Sequence, residues 1–297
     1  MQKNDRRSLI MFISSMLIFG TIGIFRRYIP FPSAFLAMAR GLIGGLLVMA
    51  FVRLTGKQTS PETGRLPGKT AALLALSGIV MGFNWILLFE AYNRTSVGVA
   101  TLCYYMEPTI VTLLSPLLFR EKLTGKKLLC AAAAIIGMVL VSGVTEENRA
   151  AGNLPGVLLG LGAAALYSIV VIMNKKTPGI EPYRKTTIQL LSAGLVMIPY
   201  LLLTDGFRFG EYDTRAVILL LVVGIVHTGF AYVLYFGSMD GLRAQSIAIF
   251  SYIDPVSALL FSALLLREPL NLPGIIGAVL IIGSAIISEL HGKGETA

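Results

Sequence analysis

The sequence predicts an all-α membrane protein, with ten transmembrane helices in two inverted five-helix repeats (1–147 and 148–297) that form one integral membrane domain. Mean hydropathy is +0.75, and 14% of residues are charged where a soluble domain carries about a quarter. The apolar residues gather into ten runs, and a segment in the fourth run recurs in the ninth at an offset of 147 positions, 107 against 254.

The runs are Leu9–Phe25, Ser33–Val52, Ala71–Phe89, Val97–Phe119, Leu128–Val144, Leu154–Met173, Thr186–Leu203, Ala216–Gly237, Ala244–Leu266 and Leu272–Leu290. Each has about 17–23 residues, enough at 1.5 Å per residue to cross a hydrocarbon core of roughly 30 Å. They must be helices, because a helix closes its backbone bonds within one segment and barrel strands would be about half as long. The first run follows Lys3, Arg6 and Arg7 like a signal peptide. It is long for one, and it ends in Phe25-Arg26-Arg27-Tyr28 where a cleavage site needs small residues, so it is expected to stay in place. The longest connection, Arg53–Thr70, is rich in Gly, Pro, Thr and Lys and reads as a loop.

A formal net charge of +9 invites a nucleic-acid reading, but the basic residues are divided among the loops, and no nucleic-acid partner is expected. They set topology instead. With the amino terminus inside, all ten lysines (Lys3, Lys57, Lys69, Lys122, Lys126, Lys127, Lys175, Lys176, Lys185 and Lys293) lie on the cytoplasmic side. Glu146, Glu147, Asp205, Glu211 and Asp213 lie opposite, and Arg26 and Arg27 are the exception to the positive-inside pattern. Both termini are then cytoplasmic, in a cell (inner or plasma) membrane. Because five is odd, the second repeat enters in the opposite sense, as in transporters built from inverted repeats.

The offset places Tyr105, Glu107 and Pro108 on Tyr252, Asp254 and Pro255, Arg120 and Glu121 on Arg267 and Glu268, and Phe83 and Trp85 on Phe230 and Tyr232. Glu107 and Asp254 sit near mid-helix, where a carboxylate is costly unless it faces a cavity or a partner. Three roles are open: joining helices, contacting a cationic part of a substrate, or carrying a coupled proton. Each acid precedes a proline, which frees the carbonyl one turn earlier, at Tyr104 and Ser251. Helical spacing puts Tyr104 and Val111 beside Glu107, and Phe250, Ser251 and Ser257 beside Asp254.

Asn84 and Trp85 are placed with Tyr104, Glu107, Tyr232, Tyr235, Ser251 and Asp254 in the candidate substrate site. Trp85, the sole tryptophan, belongs either to a cavity wall or to helix packing, and Glu90 is expected to pair with Arg94 at i+4. His227 is a packing residue or a third proton carrier beside the two acids. Arg40, a third of the way into the second run, is expected to be buried and bonded to an acid or to freed carbonyls. Its guanidinium would fasten the halves or bind a substrate anion.

Glycine pairs Gly41/Gly45, Gly78/Gly82 and Gly156/Gly160 suit internal helix packing more than dimerisation, so a monomer is favoured. Cys103 and Cys130 lie in apolar runs and offer no disulfide framework. No His-Glu-x-x-His, Gly-x-Ser-x-Gly or glycine-rich phosphate loop occurs, so neither an enzyme nor a cofactor or metal site is expected.

These segments resemble the EamA branch of the drug/metabolite transporter superfamily over nearly the whole chain. The resemblance rests on Pro108 with Arg120-Glu121-Lys122-Leu123-Thr124, and on Asp254-Pro255 with Arg267-Glu268-Pro269-Leu270. It implies a central cavity lined by the first, third, fourth, sixth, eighth and ninth helices, and a secondary transporter exporting a small metabolite such as an amino acid or amine. The runner-up cargo is a quaternary ammonium or cationic drug bound by Trp85 and tyrosines. Three positions depart from the family pattern: Phe19-Gly20-Thr21 replaces Trp-Gly-Ser, Cys130 stands where glycine is usual, and Ser284 is the repeat equivalent of Gly137.

The lysine placement is checked by labelling Lys57→Cys and Lys175→Cys with an impermeant thiol reagent. Both are expected to react from the same side of the membrane, and labelling from opposite sides refutes the topology.

Overall fold

A chain of this composition has to close its peptide hydrogen bonds within each span, since hydrocarbon offers none. The computed structural model describes residues 3–56, 66–119, 124–142, 147–204, 213–239 and 241–292, and among these there is no strand. Lys57, the first Arg-Glu pair (Arg120 and Glu121), Lys122, Glu146, Asp205, Glu211 and Lys293 lie outside the described residues.

The helices are α1 (Lys3–Tyr28), α2 (Ser33–Thr55), α3 (Gly68–Arg94), α4 (Val97–Tyr104), α5 (Glu107–Phe119), α6 (Gly125–Ser142), α7 (Glu147–Lys175), α8 (Pro182–Leu203), α9 (Thr214–Val222), α10 (Ala231–Met239), α11 (Ala244–Ser251), α12 (Ile253–Leu265) and α13 (Leu272–Gly292). A π-helical segment, Val223–Phe230, joins α9 to α10. Eight spans are long and apolar enough to cross a bilayer, with α4–α5 and α9–α10 each counting as one. Two shorter apolar stretches, Ile249–Leu265 and Leu272–Ser288, complete the expected ten.

Local signals set the ends. Ser96 caps α4 by accepting from Val99 N–H, Glu181 caps α8 at Tyr183 and Arg184, and Asp213 caps α9 at Ala216. Gly56, at φ 64°, closes α2 in the left-handed conformation that glycine adopts without steric cost.

Helices pack chiefly against the other half of the chain. The third span meets the sixth and seventh (α3 on α7 and α8), and the eighth meets the first and second (α10 on α1, the π-helical segment on α2). The fourth meets the sixth (α4 on α7) as the ninth meets the first (α12 on α1). The second and seventh spans pair, as do the fifth and tenth (α2 on α8, α6 on α13). Exchanging each span with the one five places later maps this set of contacts onto itself. That is the signature of two equivalent halves related by a two-fold axis, and ten successive crossings make their directions opposite.

Small residues permit the closest of these approaches. A Cβ at Gly41 would stand 2.7 Å from the Gly194 nitrogen and 2.8 Å from the Leu190 carbonyl, and one at Gly137 would stand 2.7 Å from the Gly277 carbonyl. Gly78, Gly82, Gly156 and Gly160 also abut other spans of this chain, in keeping with internal packing. Many outward-facing positions are leucine, isoleucine or valine, such as Leu117, Leu129, Leu264 and Val279. Gly41→Leu is expected to lower stability by about 1–3 kcal/mol or more through overpacking. Thermal unfolding in detergent measures it, and a wild-type melting temperature would show that α2 and α8 do not touch there.

Candidate functional site

The fourth and ninth spans break where the prolines fall. Helix α4 stops at Tyr104 and α5 starts at Glu107; α11 stops at Ser251 and α12 starts at Ile253. At the first break Tyr105 N–H still reaches the Thr101 carbonyl and Met106 N–H the Cys103 carbonyl; at the second Tyr252 N–H reaches Ile249. Such turns are tolerated at mid-depth where they border a cavity, and a cavity of about 1160 Å³ lies there.

Both acids line it, one from each half. The Tyr105 hydroxyl donates to Asp254 Oδ2 at 2.6 Å, a bond between the two halves, and the Glu107 carbonyl accepts from Ser168 Oγ at 3.3 Å. Trp85, Tyr104, Tyr232, Tyr235 and Ser251 line the same space. Phe19 closes one wall with its ring centroid 5.3 Å from Tyr232 and 6.3 Å from Tyr235. Phe19, which stands where the resemblance would place a tryptophan, thus shapes the cavity. Every span contributes to the lining, more than the six expected, and the second supplies Arg40.

Several residues sit elsewhere than spacing suggested. Asn84 lies outside the lining: it is fully buried between α3 and α7, where Nδ2 donates to the Ala163 carbonyl at 2.6 Å. His227 is buried in the π-helical segment, its Nε2 2.9 Å from Thr21 Oγ1, its Nδ1 3.4 Å from the Val222 carbonyl, and its ring against Phe25. It ties α1 to the eighth span and is not among the cavity-lining residues. Phe250 and Ser257 also lie outside the lining, and Ser257 Oγ donates to the Asp254 carbonyl at 2.9 Å.

Glu90 does not pair with Arg94; it accepts from Ser33 Oγ at 2.6 Å, and Ser33 in turn accepts from Arg26 Nη2 at 3.0 Å. The start of α2 lies against the end of α3 and offers Glu90 a fixed partner, while Arg94 remains exposed. Arg40 is buried as expected, but its partner is neither an acid nor a carbonyl. Nε donates to Thr228 Oγ1 at 3.2 Å, and the guanidinium lies 3.9 Å from the Trp85 ring centroid. Tyr105 was the site residue that helical spacing missed. Its place in the duplicated Tyr-x-acid-Pro segment was the available signal.

Two ends of the molecule differ. At one, Arg27 Nη2 donates to Glu268 Oε1 at 3.2 Å and to the Thr95 carbonyl at 2.7 Å. Glu268 also accepts from Val97 N–H and Gly98 N–H, neutralising the amino end of α4. Arg267, at φ 55°, is in the left-handed region, and this turn directs Glu268 back toward α4. None of these residues lines the cavity, whereas Lys127, Lys175 and Lys185 at the other end do.

The sequence pattern of the EamA-like transporter family matches residues 6–143 and 154–289. The chain belongs to this family. A transporter named YxxF from Bacillus subtilis is 27% identical over 99% of this chain and 93% of its own length. Protein PecM of Dickeya dadantii is 27% identical over 85% of this chain and 82% of its own. The inner membrane transporter YicL of Salmonella typhimurium is 22% identical over 98% and 97%. A solved crystal structure superposes with a TM-score of 0.66 at 18% identity, covering 96% of this chain and 98% of that one, which establishes the shared fold. The chain is therefore a multi-pass membrane transporter of EamA type.

Cys130 lines the cavity beside the lysine end, and Cys103 is wholly buried. An impermeant maleimide is expected to label Cys130 from the lysine side only, and Cys130→Ser should reduce labelling to background. Labelling of Cys130 from the Glu268 side would show that the cavity opens the other way.

Proposed function

We propose that this EamA transporter is a secondary exporter of a small metabolite such as an amino acid or amine. It works by alternating access in a cell membrane with both termini cytoplasmic, and protons bound at Glu107 and Asp254 couple the movement. The observation that carries this reading is the pair of mid-span breaks, which bring an acid from each repeat onto one cavity lined by both halves. Broken spans meeting at a repeat interface are the usual substrate and coupling-ion sites of inverted-repeat carriers.

The ends support the direction of access. The Arg27–Glu268 cluster holds α1, α4 and the end of α12 together outside the lining, and the lysines mark the side to which the cavity extends. With lysines cytoplasmic, this is the state that loads cargo from inside. The tyrosine hydroxyls and Ser251 give that cargo hydrogen-bonding partners. The repeat boundaries at 147/148, a monomeric state, and catalysis playing no part complete the proposal.

Two variants test it. Glu107→Gln and Asp254→Asn are close in shape to the protonated acids, so expression and folding are expected to hold while transport falls or loses its pH dependence. Substrate counterflow, set beside pH-driven uptake in the same vesicles, separates the roles. Counterflow that survives while pH-driven uptake is lost marks a proton carrier, and loss of both marks a substrate contact. Wild-type behaviour of both variants in both assays would make the acids structural and overturn the proposal.

A further inference from the structure

Arg40 is a cation buried in the membrane interior with no acid assigned to it. Its relative exposure is 5%, yet among the described residues the ion pair found is Arg27–Glu268, and Arg40's hydrogen bonding is confined to Nε on Thr228. The Thr228 hydroxyl donates to the Val223 carbonyl at 3.0 Å, which leaves its oxygen turned to accept from Arg40. The guanidinium carbon lies over the Trp85 ring, 3.9 Å from its centroid, and 5.5 Å from that of Phe89. Its Nη groups have no partner among the described residues, and they are not among the side-chain atoms sealed away from open space without one. Arg40 itself lines the cavity. This is a planar donor fork, fixed by a hydroxyl and an indole, with its outer edge left for something that enters the cavity.

We infer that Arg40 binds the carboxylate of the transported molecule, so that the cargo is an amino acid or a related carboxylate and not a simple amine. The inference rests on the transporter reading and narrows it. A guanidinium at this depth needs a counter-charge, and a carboxylate fits its fork with two parallel hydrogen bonds. The cavity as a whole favours an anion. Arg40, Lys127, Lys175 and Lys185 line it against two carboxylates, Glu107 and Asp254, and Asp254 already accepts from Tyr105. Arg40 lies over the Trp85 ring, which a quaternary ammonium would otherwise use together with the tyrosines. Glu107 and Asp254 line the same cavity and give it an acidic side toward the ammonium pole of an amino acid.

Trp85 is the only tryptophan, so its fluorescence reports the Arg40 stack without any label. The purified full-length protein is titrated with each common amino acid other than tryptophan and with the matching carboxamide. At least one acid is expected to shift Trp85 emission saturably, and its amide to bind at least about tenfold more weakly, since a charge-assisted bidentate pair is lost. Arg40→Gln should lose the preference for the acid, and Trp85→Phe should lose the signal. No shift with any acid, equal binding of acid and amide, or a preference that persists in Arg40→Gln would each overturn the assignment. The acid-against-amide comparison uses the wild-type protein, so it stands even if Arg40→Gln does not fold. Counterflow of the same panel in proteoliposomes separates this inference from the transporter reading. Flux that ignores the carboxylate overturns the role of Arg40 alone; carboxylate-selective binding without flux overturns transport and supports the carboxylate site.

Discussion

Hydrocarbon does not solvate a peptide group, and this constraint decides where the chain is able to stop being helical. Apart from the eighth span, which passes from α to π and back without losing its helical course, the described spans are interrupted at the two acid-proline segments, and at both the freed backbone borders the cavity. Proline makes each break local by removing one donor, and short turns at Tyr105, Met106 and Tyr252 recover part of the lost bonding. The acids share the logic of the breaks: a carboxylate at mid-depth is tolerable on the same wet surface that makes the broken backbone tolerable. Polarity and helix interruption therefore concentrate at one level of the protein.

The surrounding scaffold has the opposite character. Helices from the two halves meet through glycine and backbone, as α2 meets α8 at Gly41 and Gly194, or α6 meets α13 at Gly137 and Gly277. Close backbone contact gives packing without interlocking side chains, which suits surfaces that shift against each other while staying in register. Directional bonds also cross between the halves. Among them are Thr21 to His227, Tyr105 to Asp254, Arg40 to Thr228, Asn84 to the Ala163 carbonyl, Gln189 to Ser77, Ser168 to the Glu107 carbonyl and the Glu268 cluster on α4. The π-helical segment carries two of these partners, His227 and Thr228, and its wider turn allows the Thr228 hydroxyl to reach a carbonyl five residues back.

The number of spans, the two acids and the burial of Arg40 were legible in the sequence because each rests on composition along a single helix, and the duplication because two segments match at a fixed offset. What was illegible depends on neighbours distant in the chain. Glu90 had a plausible partner in Arg94, but Ser33 was nearer once α2 packed on α3. Asn84 looked like a cavity residue because it precedes Trp85, yet adjacent residues on a helix point about 100° apart, and one faces α7 while the other faces the cavity. Helical projection from Glu107 back to Tyr104 fails in principle across the break, although both line the cavity. It also hid Tyr105, which the break turns toward Asp254. The π-helical turn has no signature in hydropathy at all.

Duplication also explains why a nearly symmetric scaffold holds an asymmetric site. The offset that pairs Glu107 with Asp254 pairs Trp85 with Tyr232, Tyr104 with Ser251 and Arg40 with Thr187. Contacts between spans survive the exchange of halves, whereas the residues facing the cavity do not. Had both halves kept the same lining, the cavity would offer a bound molecule two equivalent orientations. With an acid on each half and a guanidinium on one, it has a distinct cationic wall. A molecule carrying charge at one end then has a preferred orientation, even though the helices that enclose it come in matched pairs.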